Sequence, residues 1–225
     1  MPREPYREDL EDLRADVTAM GELVLDRPDA ALDCLRECEE TTARTIIEGD
    51  AEINELYLEL EADCIDLFAL QQPVAGDLRF IAASFKIITD LERVGDLATN
   101  LAEYALATER DLAPEVAIDE IGRDARDAVE RSLEAYADED ADACWAIAAA
   151  DDEIDALCQR ASETVARDLI EREANGDDPW AVERLLDDVS RVLLTIRDLE
   201  RIGDHAVNIA ARTLYMVEND DALLY

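Results

Sequence analysis

Lysine is almost missing from this chain. Among 225 residues only Lys86 is a lysine, and 21 Lys and Arg face 58 Asp and Glu, a net charge of −37. With no basic patch to neutralise phosphates, nucleic acid is excluded as a direct partner. Histidine is reduced to His205. The Glu-x-x-His pairs of a di-iron oxidase bundle therefore cannot be assembled. There is no Ser/His/Asp or Cys/His set, no phosphate-cradling glycine loop, and no acid–base carboxylate pair walled off by aromatics, so the chain reads as a non-enzyme. No apolar run approaches about 18 residues, so no membrane span is expected. The opening MPREPYRED is charged and does not read as a signal peptide. The five cysteines are odd in number and form no CxxC pair. Cys34 and Cys38 would share a helix face, but no histidine stands near them. All five read as small buried hydrophobes in a reducing cytosol. Glycine (7), proline (6) and aromatics (5%) are also scarce. Alanine, leucine, glutamate, aspartate and arginine dominate, which is an all-helical profile.

So large a negative charge works against compactness in ordinary salt. In about 1 M salt the Debye length falls to about 3 Å and the repulsion fades. Adaptation to a salt-rich cytoplasm, as in haloarchaea, accounts for the charge without assigning it a molecular function. The hydrophobic fraction of 49% is enough for a real core, and the length suits one large domain or two of about half its size.

The chain repeats itself. Residues 101 positions apart correspond: Met20-Gly21 with Ile121-Gly122, Leu32 with Leu133, Ile46 with Ile147, and DAEINEL (Asp50 to Leu56) with DDEIDAL (Asp151 to Leu157). The stretch DLERVGDLATN from Asp90 returns as DLERIGDHAVN from Asp198, now 108 positions on. REANGDDP, from Arg172 to Pro179, carries the loop signals that fit the seven added residues. The halves are expected to divide near Asp111 to Pro114, giving repeats over 1–110 and 111–225.

Each half contains three helical patterns. Periodicity predicts helices over about Tyr6 to Leu35 (interrupted at Pro28), Thr41 to Leu70, and from the Gln72-Pro73 break to about Glu109. The second half predicts Glu115 to Ala137, Asp140 to Glu173, and Pro179 to Val217. In the last of these, Val182, Leu185, Leu186, Val189, Val192, Leu193, Ile196, Leu199, Ile202, Ala206, Ile209 and Ala210 form one apolar stripe. Long amphipathic helices with short links make antiparallel bundles, so the expected architecture is all-α, two three-helix bundles in tandem. Trp145 and Trp180 are expected to pack in the core or at a bundle edge.

On a helix, residues four apart stand one above the other. Glu92, Asp96 and Asn100 therefore share a face, as do Glu200, Asp204 and Asn208. Like charges at this spacing repel by about 0.2–0.5 kcal/mol, and each copy also carries a mid-helix glycine, Gly95 or Gly203, at a cost of about 1 kcal/mol relative to alanine. Stacked carboxylates with an amide carbonyl are hard oxygen ligands suited to Mg²⁺, Mn²⁺, Ca²⁺ or iron. Asp50 and Asn54, and Asp151 and Asp155, on each half's second helix are candidates to complete the shell, the glycine letting that helix approach. The competing reading is a solvated acidic face, with Arg93 pairing Asp90 or Asp96 and Arg201 pairing Asp198 or Asp204. His205, where the first copy has Leu97, reads as a packing or surface variation.

In its motifs the chain resembles the PhoU family, the negative regulators of phosphate uptake. The resemblance is carried by LEDLRADVTAMGELV (Leu10 to Val24), IIEGDAEIN (Ile46 to Asn54), QPVAGDLRFI (Gln72 to Ile81), DLERVGDLATNLA (Asp90 to Ala102) and RDLERIGDHAVNIA (Arg197 to Ala210). It implies two three-helix bundles related by an internal pseudo-twofold. It implies metal binding through the E/DxxxD motif of each bundle, here Glu92, Asp96, Glu200 and Asp204. The ion would be divalent or trivalent: Mg, Mn, Fe, Zn or Ca. It further implies a cytoplasmic homodimer that meets the ATPase subunit of the phosphate ABC transporter, and in bacteria a sensor histidine kinase. Such a protein is peripheral to the membrane through its partners only, and damps both uptake and starvation signalling. Many relatives carry a further acidic residue where this chain has Tyr57 and Cys158, which favours one or two ions per bundle or an empty site. No DNA-binding domain is expected at either end. A metal-storage or metal-sensing bundle, and a purely structural helical dimer, are the alternative functions.

Overall fold

The apolar stripes close into six helices: α1 (Arg3–Glu37), α2 (Glu40–Gln71), α3 (Ala75–Ala107), α4 (Ile118–Asp138), α5 (Ala141–Glu173) and α6 (Pro179–Glu218). The computed structural model describes residues 3–37, 39–71, 73–107, 116–173 and 179–224, and among these there is no strand. The expected division at 110/111, Gln72, Cys38 and most of REANGDDP lie outside the described residues, as does the Trp180 side chain.

The expected interruption at Pro28 does not occur, and α1 runs through it to Glu37. An interior proline forfeits one backbone hydrogen bond. Here Val24, Leu25, Ala31 and Leu32 are all buried on either side of it, and burial of each large side chain is worth about 1.5–3 kcal/mol. Packing outweighs local propensity.

α3 is covered by α1, α2 and α6, while α6 is covered by α4, α5 and α3, and α1 also meets α4. The interior is thus α1, α3, α4 and α6, with α2 and α5 on opposite flanks. Each half is a three-helix bundle, and the two stand back to back over one continuous apolar core that takes residues from both halves. Ile87, Ile88, Leu91, Leu97 and Leu101 of α3 are fully or almost fully buried in it, as are Ile196, Leu199, Ile202 and Ile209 of α6. Two stripe residues of α6 behave otherwise: Leu186 is 48% and Leu193 37% exposed. Seven positions apart, they share an edge of the helix that no neighbour covers. Trp145, expected to pack, is 42% exposed. Cys34, Cys64, Cys144 and Cys158 are buried free thiols, as their apolar reading requires.

The internal symmetry is visible where α1 crosses α4. A Cβ placed on Gly21 would lie 2.5 Å from Leu133 Cδ1, and one on Gly122 would lie 2.2 Å from Leu32 Cδ1. These are the same contact made twice, since Gly21 and Gly122, and Leu32 and Leu133, are equivalent repeat positions. Each leucine enters the notch that the opposite glycine leaves, and the two pairings run antiparallel. At one end of this crossing Arg14 of α1 donates to Tyr136 O (2.9 Å), pairs with Glu139, and lies over the Phe80 ring at 4.7 Å. Tyr136 OH and Ser84 Oγ, both buried, are 2.7 Å apart and tie α4 to α3.

Filling one of these notches tests the crossing. Gly122→Val should destabilise the fold by about 1–3 kcal/mol through overpacking. Adding Leu32→Ala should recover part of that, so that the double-mutant cycle in urea unfolding at molar KCl is non-additive. Additive losses would mean that the two side chains do not meet.

Candidate metal centre

The doubled motif does two jobs on two faces of its helix. The first belongs to its leading aspartate. Asp198 of α6 is completely buried, and accepts from Tyr104 OH (2.9 Å) and Asn100 Nδ2 (3.4 Å) on α3, and from Arg197 Nη2 (2.7 Å) beside it. Asp90 of α3 reciprocates: Asn208 Nδ2 of α6 lies 3.3 Å and His205 Nδ1 2.8 Å from its Oδ1. An ionised carboxylate can only accept, so the His205 proton sits on Nδ1. α3 and α6 thus lie antiparallel, joined by one polar clamp at each end of their crossing. The asparagines read as carbonyl ligands for a cation turn their amide nitrogens to the opposite bundle instead. His205, the residue without a counterpart in the first copy, is a clamp member. Sequence spacing could not reveal this, because the partners come from separate halves; the recurrence of the aspartate itself was the available signal.

The second job belongs to the carboxylates. In the first bundle Glu92 and Asp96 of α3 face Asp50 of α2. Burial raises the pKa of Glu92, and repulsion from Asp96 and Asp50 adds to it. Asp96 is raised by burial, then by Asp50, while Arg93 draws it down. Arg93 chooses the later aspartate of its two candidates, with Nη1 3.1 Å from Asp96 Oδ2 and Nε 3.5 Å from Glu92. In the second bundle Glu200 and Asp204 of α6 face Asp151 and Asp155 of α5. Burial and then Asp155 raise both Glu200 and Asp204. Asp151 is pushed up to about 6, by burial first and then by Asp155 and Asp204. Cys158, one turn beyond Asp155, is pushed up to about 12 by burial and then by Glu200 and its neighbours, so it stands as a neutral thiol.

The motif glycines admit the flanking helix, as the spacing predicted. A Cβ on Gly95 would lie 2.8 Å from Ile53 Cδ1, and one on Gly203 would lie 3.3 Å from Asp151 Oδ1. An α6 bearing any other residue at position 203 would crowd the carboxylate that sits over its backbone. The donor set is all hard oxygen, the class that suits a Mg²⁺- or Mn²⁺-like cation, with its repulsion offset in part by Arg93 in the first bundle and by His205 and Arg201 in the second. Among the described residues, however, no three His, Cys, Asp or Glu side chains are gathered closely enough to hold one ion. Sequence reasoning named Glu92, Asp96, Glu200 and Asp204. The structure brings each pair against its flanking aspartates, Asp50 or Asp151 and Asp155.

Two predictions follow from this geometry. Asp198→Ala should destabilise by about 2–3 kcal/mol, since it removes a fully buried acceptor from Tyr104, Asn100 and Arg197, and Asp90→Ala by less, because Asp90 keeps some solvent contact. Equal losses in thermal unfolding would contradict the burial difference. For the metal-free protein, Asp151 lowers stability with rising pH. Below about pH 4 it is protonated folded or unfolded, and no penalty exists. Between about pH 4 and 6 only the folded state holds the proton, so stability falls as pH rises, and above that window the whole penalty remains. Asp151→Asn should therefore stabilise by about 1 kcal/mol at pH 7, after allowance for solvent screening, with the gain fading towards pH 4. A gain that grew on acidification would reverse the sign.

Comparison with known proteins places the chain. The PhoU domain family matches residues 17–105 and 118–213, one match per bundle. The Phosphate-specific transport system accessory protein PhoU homolog of Pseudomonas aeruginosa is 34% identical over 219 residues, covering 96% of this chain and 86% of that protein. Homolog 1 from Methanothermobacter thermautotrophicus is 33% identical and covers 96% of this chain and 95% of its own. Among solved structures, PhoU from Pseudomonas aeruginosa superposes with a TM-score of 0.83 at 32% identity, covering 96% of this chain and all of that one. The phosphate transport system regulatory protein PhoU from Streptococcus pneumoniae also gives 0.83, at 26% identity, covering 96% and 98%. The paired bundles, the reciprocal glycine notches and the doubled acidic motif are this chain's form of a shared architecture, and the protein belongs to the PhoU family.

Proposed function

We propose that this protein is a non-enzymatic negative regulator of phosphate uptake and phosphate-starvation signalling, acting as a cation-binding adaptor on the ATPase subunit of the phosphate ABC transporter. The observation that carries the reading is the end-to-end likeness, across 96% of the chain, to accessory proteins of the phosphate-specific transport system. The chemistry is compatible. Glu92 and Asp96 with Asp50, and Glu200 and Asp204 with Asp151 and Asp155, would hold a divalent or trivalent ion. The ion would supply the positive charge that relaxes their repulsion and draws α2 onto α3 and α5 onto α6. The reading extends to a homodimer in the cytoplasm, reaching the membrane only through its partners, with a sensor histidine kinase as a second partner. Among the described residues no helix is long and apolar enough to cross a membrane.

The crowding of Asp155, Asp204 and Glu200 about Asp151 favours one other reading, a metal-storage or metal-sensing bundle. Two measurements separate them. Deleting the gene should raise phosphate uptake several-fold in phosphate-rich medium, and co-purification at molar salt should recover the transporter's ATPase. Unchanged uptake together with no ATPase recovery would reject the regulator and leave the metal reading. Elemental analysis of a Glu92→Ala, Asp96→Ala, Glu200→Ala, Asp204→Ala variant should show loss of bound metal. Undiminished ATPase binding by that variant would make the ion incidental to regulation.

A further inference from the structure

The two halves are alike in their cores and unlike on their outer flanks. On the face of α2 turned away from α1 and α3, Ala51, Leu58, Ala62, Ile65 and Ala69 are all exposed. They stand three, four or seven residues apart, so they fall in one row along the helix. Leu58 is 60% and Ile65 52% exposed, in a helix that buries its other large apolar side chains wholly or in part. Glu55 is the one charge within the row. Glu52, Glu59 and Asp66 border it on the side of α1, where Glu52 lies 3.6 Å from Arg27 and Asp66 shares a pocket with Asp9, Asp12 and Asp16.

The equivalent positions of α5 read differently. Leu58 is matched by Gln159, Ala62 by Glu163, Ile65 by Ala166, and Ala69 by Ile170, which is 68% exposed. On the border Glu59 is replaced by Arg160 and Asp66 by Arg167, both exposed, while Glu52 keeps its sign as Glu153. Among the described residues none of Glu59, Asp66, Arg160 and Arg167 has an ion-pair partner. One flank thus presents a apolar row with an acidic border. The other presents a mixed row, ending in an exposed isoleucine, with two free arginines on the same border.

Charge decides which of these faces can pair. Two antiparallel helices bring equivalent borders together. Pairing α2 with α2 of a second copy would therefore set Glu59 and Asp66 against their own kind, and α5 with α5 would do the same to Arg160 and Arg167. Pairing α2 with α5 sets opposite charges together. With Ala62 opposite Ala166 of the second copy, the spacing brings Leu58 onto Ile170 and Ile65 onto the methylenes of Glu163. The same register lays Glu59 beside Arg167 and Asp66 beside Arg160. We infer that the outer face of α2 is an interaction surface for α5 of a second copy of this chain, packed antiparallel. Apolar burial supplies the attraction, and the charges choose the partner face. The two faces lie on opposite flanks, so the association is head-to-tail: each chain offers α2 to one neighbour and α5 to another. This goes beyond the homodimer proposed above, because a closed twofold pair cannot make both contacts at once.

The test is light scattering of the full chain at molar KCl over about a hundredfold range of concentration, where the wild-type mass should rise with concentration. Leu58→Glu with Ile65→Glu removes the α2 face, and Arg167→Glu with Ile170→Glu removes the α5 face. Each variant alone should associate at least about tenfold more weakly than the wild type. Mixed in equal amounts, the two should form a complex of two chains and no larger, since each supplies the face that the other lacks. That regained association cannot come from misfolding, and helicity by circular dichroism checks each variant alone. Undiminished association of the Arg167→Glu, Ile170→Glu variant would show α2 pairing with something other than α5. That result, a mixture that fails to associate, or association indifferent to both pairs of substitutions would overturn the α2–α5 contact and leave the homodimer reading in place. A wild-type chain that stays single at every concentration would overturn both.

Discussion

The contact between α3 and α6 is the constraint on which the rest of the molecule depends. Each of these two helices is packed against three others, and together they bring into contact motifs written more than a hundred residues apart. Their interface is apolar along most of its length and polar at each end. Asp198 is wholly buried with Tyr104 and Asn100, and Asp90 sits with His205 and Asn208. A buried carboxylate is stabilising only when its hydrogen-bond partners are in place, so each clamp is satisfied in one register of the two helices and frustrated in others. The same register points Glu92 and Asp96 to one flank and Glu200 and Asp204 to the other.

The acidic motif therefore acts twice along one helix. Its aspartate at the start faces inward and aligns the bundles. Its glutamate and second aspartate face α2 or α5, where burial and repulsion raise their pKa values. The glycine between them is what lets both jobs coexist, because the flanking helix comes within van der Waals contact of its missing Cβ. The local costs, two like charges in stacked turns and a glycine in mid-helix, are the sort that persist where function requires them. High salt lowers the first cost by screening, and a bound cation would lower it further.

The density of negative charge complicates the reading of the surface. With 58 acidic residues in the chain, a carboxylate cluster alone carries little information. The pocket between α1 and α2, lined by Asp9, Asp12, Asp16, Asp63 and Asp66 with Leu13 and Leu67, illustrates this. It gathers five aspartates, yet has none of the repetition or glycine-mediated approach that distinguishes the α5–α6 flank.

The all-α class, the internal duplication, the six helices to within a few residues at most ends, and the pairing of Glu92 with Asp96 and Glu200 with Asp204 were all legible in the chain. Each follows from periodicity within one helix or from recurrence between halves, which are local or repeated signals. Pro28 within an unbroken α1, the exposure of Leu186 and Leu193, the pairing of His205 and Asn208 with Asp90, and the leucine-in-glycine notches at Gly21 and Gly122 were not. Those depend on which helix lies beside which and in what register. Sequence spacing determines what shares a face of one helix, while what that face meets is set only when distant helices dock.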